Sequence, residues 1–300
     1  LEALGGEDQT SAPLLQWLTK MAIASTLVLP GVPTAVQARR VFERSLIASL
    51  GSTDGATSVG YNLRALKMAG ASVRERLSQE HWNIIRRAEE ELHHRCATHV
   101  AHGDYSAADA LRVLKSASDH LAAITGAQTD RMTRDDGWRL LSVGRHVERL
   151  SFLASSLQRG FETRSIETEG GFEAVLALFD STITFRAQYQ QSRDAVALID
   201  LLVLDRDNPR SLAWVAHTLR GRLAKLSGSP AGELCALSFK VPNPDHWDLE
   251  TLCARDGDEA APPALMALLA DLVLAAYAVS DDISVTYFTH AGETNQSLGT

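Results

Sequence analysis

Between Leu140 and Leu157 the apolar side chains return at helical intervals: Leu140, Val143, Val147, Leu150, Ala154 and Leu157. That is the stripe of a helix packed along one side. The stretch from Asp136 to Leu150 is apolar or small on nearly every side, yet it carries Arg145, Glu148 and Arg149 in its middle. A helix that is apolar all round is a buried one, and buried charges must be paired or they are strongly destabilising. The expectation is a buried helix that hides a small ionic cluster. The cluster is either a structural ion-pair knot or the polar heart of a binding site.

Two further stripes refine this. Gly144, Ser151 and Ser155 would let a neighbouring helix approach closely and trap Glu148 between the two. Trp138, Arg145 and Phe152 stand seven residues apart, so aromatic rings would flank the Arg145 guanidinium. Arg145 and Glu148, three residues apart, can also pair along the helix. Two arginines with one acid tilt the local charge positive, which suits a carboxylate or phosphate ligand.

Helical periodicity continues along the chain. Helices are expected over residues 12–24, 34–50, 58–77, 79–99, 106–125, 135–158, 171–189, 193–202, 209–226 and 262–290, with short turns near 231–237 and 245–255. Breakers fall between them: Pro30-Gly31-Val32-Pro33, Gly51 to Gly55, His102-Gly103-Asp104, Gly170-Gly171, Asp207-Asn208-Pro209, Lys240 to Pro244 and Asp256-Gly257-Asp258. No alternating run with turn chemistry argues for a sheet. The fold class is all-α, an elongated multi-helix bundle, read as a single domain over residues 1–300.

Composition narrows the function. Of 300 residues, 45% are hydrophobic, enough for a sizeable core, and the formal net charge of -8 argues against nucleic-acid binding. The three cysteines, Cys96, Cys235 and Cys253, form no Cys-x-x-Cys pair, so neither a disulfide framework nor a cysteine zinc site is expected. Free thiols fit a reducing cytoplasm. The apolar stretch 261–279 is broken by Pro262, Pro263 and Asp271 and reads as a core helix rather than a membrane span. Leu1-Glu2-Ala3-Leu4 before Gly5-Gly6 looks like the tail of a helix, so the chain is expected to be the C-terminal part of a longer product.

Other candidates are weaker. Glu90-Glu91-Leu92-His93-His94 has the Glu-x-x-His spacing of di-metal sites. Such a site needs a second copy, and without one a polar helix face and no metal are expected. Asp180-Ser181-Thr182-Ile183-Thr184-Phe185-Arg186, with Tyr189, places hydroxyls inside an apolar helix, and Asp180 and Arg186 would join the polar heart at Glu148 or simply pack. The turn Asp205 to Ser211 is a capped turn, or a rigid loop presenting Arg210 at a helix N-terminus where an anion is favoured. No Ser-His-Asp order, phosphate-cradling glycine loop or dinucleotide fingerprint is present, so the chain is not expected to bind ATP.

At these residues the chain resembles the alpha-E domain proteins. The resemblance rests on Gly144-Arg145-His146-Val147-Glu148-Arg149, Val73 through Trp82, Asp180 through Arg186, Leu202 through Ser211 and the ending Tyr287-Phe288-Thr289-His290, over about residues 14–290. The family usually has Tyr-Leu where this chain has His146-Val147, and an earlier copy of the motif on a first helix that this chain lacks. The resemblance implies an all-helical domain associated with circularly permuted ATP-grasp proteins, fused or separate. Transglutaminase-like cysteine peptidases and a proteasome-related peptidase are also associated with the family. ATP and magnesium would sit on the ATP-grasp partner, and no cofactor in this chain. The expected function is a helical accessory domain that binds a peptide or carboxylate-bearing ligand through Arg145, Glu148, Arg149, Asp180, Arg186 and Arg210. The alternatives are an enzyme acting on amide or peptide bonds with Glu148 as general acid or base, and a purely structural assembly domain. No nucleic-acid or membrane partner is expected.

Overall fold

Short polar side chains mark where helices begin, because a Ser or Asp oxygen takes an N–H that the first turn leaves orphaned. The computed structural model describes residues 1–5, 11–54, 57–102, 106–190, 192–255 and 261–288. Its helices are α1 (Glu2–Gly5), α2 (Ala12–Ala24), α3 (Arg39–Ser49), α4 (Val59–Ser72), α5 (Gln79–His102), α6 (Ala107–Asp130), α7 (Asp136–Glu162), α8 (Glu169–Leu178), α9 (Thr182–Tyr189), α10 (Ala195–Ile199), α11 (Leu212–Leu226), α12 (Ala236–Phe239), α13 (Leu249–Cys253) and α14 (Pro263–Phe288). Ser11, Ser58, Ser106, Asp194, Ser211 and Asp248 cap α2, α4, α6, α10, α11 and α13. The Asp135 carboxylate accepts from the Trp138 amide at 3.0 Å and starts α7. No strand occurs among the described residues, and the fold is an all-α helical bundle.

The helices gather into two units. The first takes residues 1–134 and 163–174. In it α5 packs against α4 and α6 over Leu63, Ile85, Ala88, Leu92, Val113, Ala117 and Ile124. A smaller core joins Leu4, Ala22, Val28, Ala35 and Phe42. Gly171 in this unit is required by close approach, since a Cβ there would stand 1.9 Å from the Ser165 carbonyl oxygen.

The second unit takes residues 135–162 and the chain from 175 onward. Here α7 is the central element, packed against α11 and α14. Val143, Leu150 and Leu157 of α7, Leu219 and Leu223 of α11, and Leu265, Leu269, Leu272 and Val279 of α14 are all buried. Each such side chain contributes roughly 1.5–3 kcal/mol of burial. By length and composition alone α14 is long and apolar enough to cross a membrane. One face of it is buried in this unit against α7 and α13.

Several boundaries differ from the sequence expectation, each for a local reason. Residues 34–38 form turns before α3. The helix expected over 171–189 is two, α8 and α9, separated at Asp180. The helix expected from Pro209 begins at Leu212, because Ser211 and not Asn208 is the cap. The expected breakers at Gly55, Gly103, Asp104 and 256–258, and Thr289 and His290, lie outside the described residues.

Candidate functional site

The sequence stripe on α7 is correct and the inference about its ions is not. Val143, Val147, Leu150, Ala154 and Leu157 are buried as expected, with Leu140 half-buried. Glu148 and Arg149 are exposed and Arg145 is half-buried. The reason is angular: α11 and α14 cover part of the circumference of α7, and the charges occupy the remainder. Gly144 faces open space, with nothing within 4 Å of a Cβ built there. No described helix therefore closes over Gly144, and the exposed Glu148 is not trapped. The aromatic flanking expected for Arg145 is also reassigned, because the Trp138 ring carries the Arg222 guanidinium at 4.7 Å from its centroid.

No ion-pair knot forms either. Neither Arg145, Glu148 nor Arg149 makes a hydrogen bond or salt bridge with any described residue. Instead, Glu148 and Arg149 stand on the rim of an open pocket of about 460 Å³, in the size range of small-molecule sites. Its other lining residues are Phe152, Leu153, Leu178, Phe179, Asp180 and Arg210. Leu153 and Phe179 are buried, while Phe152 and Leu178 leave 44% and 37% of their surface open. Arg149 keeps its guanidinium beside this apolar floor. Desolvation first, then the charges of Arg145 and Arg210, push its pKa below the ordinary value.

Two backbone devices deliver the far side of the pocket. At the end of α8 the Ser181 amide donates to Leu176 O and the Asp180 amide to Ala177 O, both at 2.9 Å, with Asp180 at φ 47°. This is a Schellman stop with Asp in the left-handed position that usually takes glycine. After α11 Gly228 fills the equivalent position, with Ser229 donating to Ala224 O at 3.0 Å. The Asp180 carboxylate so placed pairs with Arg210.

Arg210 comes from a rigid turn. A π-helical segment, residues 200–204, follows α10. Asp205 Oδ1 then accepts from the Asp207 and Asn208 amides, buried Asn208 donates to Leu201 O at 3.1 Å, and Asn208 Oδ1 accepts from the Arg210 amide. The Ser211 hydroxyl donates to Asp205 O. The loop reading and the capped-turn reading of the sequence are thus one structure: the hydrogen-bonded turn is what fixes Arg210.

Behind the rim, His146 stacks on Trp214 with ring centroids 5.9 Å apart, and its Nδ1 lies 2.6 Å from Ser142 O. Burial lowers its pKa most. The Ser142 hydrogen bond opposes this, and Arg149, Arg222 and Arg145 add to it. These effects together favour the neutral form of the His146 ring, which is held between Trp214 and the Ser142 carbonyl.

The remaining candidates fall elsewhere. Arg186 is exposed on α9 and does not line the pocket. Glu90 pairs with Arg86 and Glu91 with Arg95, which makes that face of α5 a polar surface. The sequence reasoning missed the pocket floor at Leu153, Leu178 and Phe179. A Phe-Asp-Ser break inside an apolar run was the available signal for it. It also missed that the Arg-x-x-Glu-Arg spacing of Arg145 to Arg149 recurs at Arg40 to Arg44 on α3, lining a cavity of about 700 Å³ in the first unit. Gly5 and Ser106 on that cavity's wall adjoin residues outside the described set.

The Alpha-E family, described as a predicted alpha-helical domain with a conserved ER motif, matches residues 3–288. Glu148-Arg149, on the pocket rim, is such a Glu-Arg pair. An uncharacterised protein of Mycobacterium tuberculosis and one of Mycobacterium bovis are each 28% identical over 216 residues, 67% of this chain and 24% of the relative. The chain spans about a quarter of the length of these curated relatives. No solved structure matches it.

Proposed function

The chain belongs to the Alpha-E family, and from that premise we propose that it is a helical binding domain whose second unit holds a carboxylate-bearing ligand, of peptide or amino-acid type, at Arg149 and Glu148, on a rim completed by the Asp180–Arg210 pair. One observation carries this reading: Arg145, Glu148 and Arg149 have no side-chain partner among the described residues and stand at or beside an open pocket with an apolar floor. A guanidinium binds a carboxylate through paired N–H donors, and does so best where an apolar surface lowers competition from water. Charges that served only to lock the bundle would be paired with one another. A general base must be held in place to work, and no described side chain orients the exposed Glu148, so binding is favoured over catalysis by this chain.

The chemistry would then belong to a partner. The resemblance points to a circularly permuted ATP-grasp ligase, separate or on the same polypeptide, which would handle ATP and magnesium in the cytoplasm. A transglutaminase-like peptidase is a second partner of the same kind. The length of the relatives beyond the matched segment leaves room for such a catalytic domain.

Two measurements test this. Calorimetric titration of the chain with short apolar peptides should give binding that the Arg145→Ala/Arg149→Ala double variant loses. Equal binding by that variant refutes the pocket. Ligase turnover by the ATP-grasp partner should depend on the chain, and ATP hydrolysis by the chain alone would refute the accessory role.

A further inference from the structure

The pocket rim is charge-balanced rather than basic. Glu148 and Asp180 set two carboxylates against Arg149 and Arg210, above an apolar floor of Phe152, Leu153, Leu178 and Phe179. The charges differ in engagement. Asp180 is paired with Arg210, whereas Glu148 and Arg149 are unpaired among the described residues. The site therefore offers one free carboxylate, one free guanidinium with Arg145 one turn behind it, and a greasy surface between them.

This combination discriminates among anionic ligands. A phosphate dianion would meet the Glu148 charge with nothing to neutralise it. A simple carboxylate would satisfy Arg149 and leave Glu148 without a partner beside the ligand. A molecule with one charge of each sign and an apolar substituent satisfies all three features. An ammonium carries three N–H donors and no acceptor, so it needs a carboxylate such as Glu148, while a carboxylate takes the guanidinium fork in bidentate fashion.

We infer that the ligand is a short zwitterionic peptide with a free amino terminus. Its ammonium sits on Glu148, its terminal carboxylate on Arg149, and an apolar side chain on Phe152 and Leu178. A dipeptide is about 7 Å between its charged ends. That is a span the long Glu148 and Arg149 side chains, consecutive on α7 and both lining the pocket, can bracket. This rests on the reading of the pocket as a carboxylate site, and it adds that Glu148 reads the amino group.

The test is calorimetric titration of the full chain with L-leucyl-L-leucine, its Nα-acetyl form, its C-terminal amide and inorganic phosphate. Acetylation should weaken binding about fivefold, the scale of a partly exposed ion pair. Amidation should weaken it at least as much, and phosphate should bind more weakly than the dipeptide. Glu148→Gln should bring the dipeptide down to the affinity of its acetylated form and leave the acetylated form unchanged, with an unaltered melting curve. Acetylated and free dipeptide binding equally well would overturn the inference while leaving a carboxylate site intact. Phosphate binding more tightly than the dipeptide would also overturn it. Failure of every peptide to bind would remove the carboxylate site as well.

Discussion

The acidic face of α5 and the charged face of α7 look alike in sequence and behave oppositely. On α5 every glutamate is engaged. Glu89 meets Lys67 at 2.7 Å, Glu90 meets Arg86 at 3.0 Å, and Glu91 meets Arg95 at 2.7 Å while accepting from the Ser116 hydroxyl at 2.8 Å. On α7, Arg145 and Glu148 are near enough along the helix to pair and do not. Exposure does not explain the contrast, since both faces reach solvent. The difference is what stands opposite. Glu91 faces Ser116 and His120 of α6, whereas Glu148 faces an open pocket. Charges used for architecture have found partners within the chain, and charges left without them are available to a ligand.

The largest expected effect lies beneath both faces. Leu150→Ala on the buried side of α7 should cost about 2–5 kcal/mol in denaturant unfolding, because Leu150 is fully buried between packed helices. A loss below 1 kcal/mol would show that α7 is not the core element of its unit. Next, Arg145→Ala/Arg149→Ala should lower peptide affinity on the order of a hundredfold, two lost charge-assisted contacts, and leave unfolding within about 0.5 kcal/mol of the parent. A large stability loss in that variant would erase the contrast with α5.

Glu91→Gln should show the reverse pattern, costing about 1 kcal/mol of stability with no effect on peptide binding. Its pH signature is specific. The Ser116 hydroxyl foremost, then Arg95 and His120 against an opposing desolvation cost, hold the Glu91 carboxyl below the ordinary glutamate value. A depressed folded-state pKa gives stability that is present above the unfolded value, about 4.3. That stability is lost as pH falls through the folded value. Stability of the parent should therefore drop more steeply below about pH 4.5 than that of Glu91→Gln, as read by thermal melts across pH 3–6 (roughly the carboxylate range). The smallest effect is expected from Asp180→Asn. Asn tolerates the left-handed backbone as Asp does, so stability should hold within about 0.5 kcal/mol. Carboxylate ligands should bind about twofold tighter once Arg210 is released. Weaker binding would mean that Asp180 itself contacts the ligand.

Much of the fold was legible before any coordinates. The period of α7, the Ser and Asp caps and the lack of strand alternation sufficed for helix positions and class, since those signals act within a few residues of one another. The site was half legible. Arg149, Glu148, Asp180 and Arg210 were singled out and do line one pocket. Arg186 was grouped with them because it shares an apolar run with Asp180, yet the Schellman stop ends that run and puts Arg186 on a separate helix. The supposed burial of the ions failed because amphipathic period locates the covered side of a helix but not how many neighbours cover it.

The amino-acid order alone determined the helices, their starts and the buried stripe of α7, because hydrogen-bond spacing and side-chain period are local. Only the tertiary arrangement decided that α11 and α14 leave one side of α7 uncovered, and that a strained turn and a hydrogen-bonded loop bring Asp180 and Arg210 to that side. Those outcomes depend on packing between segments distant in the chain, and no run of neighbouring residues encodes them.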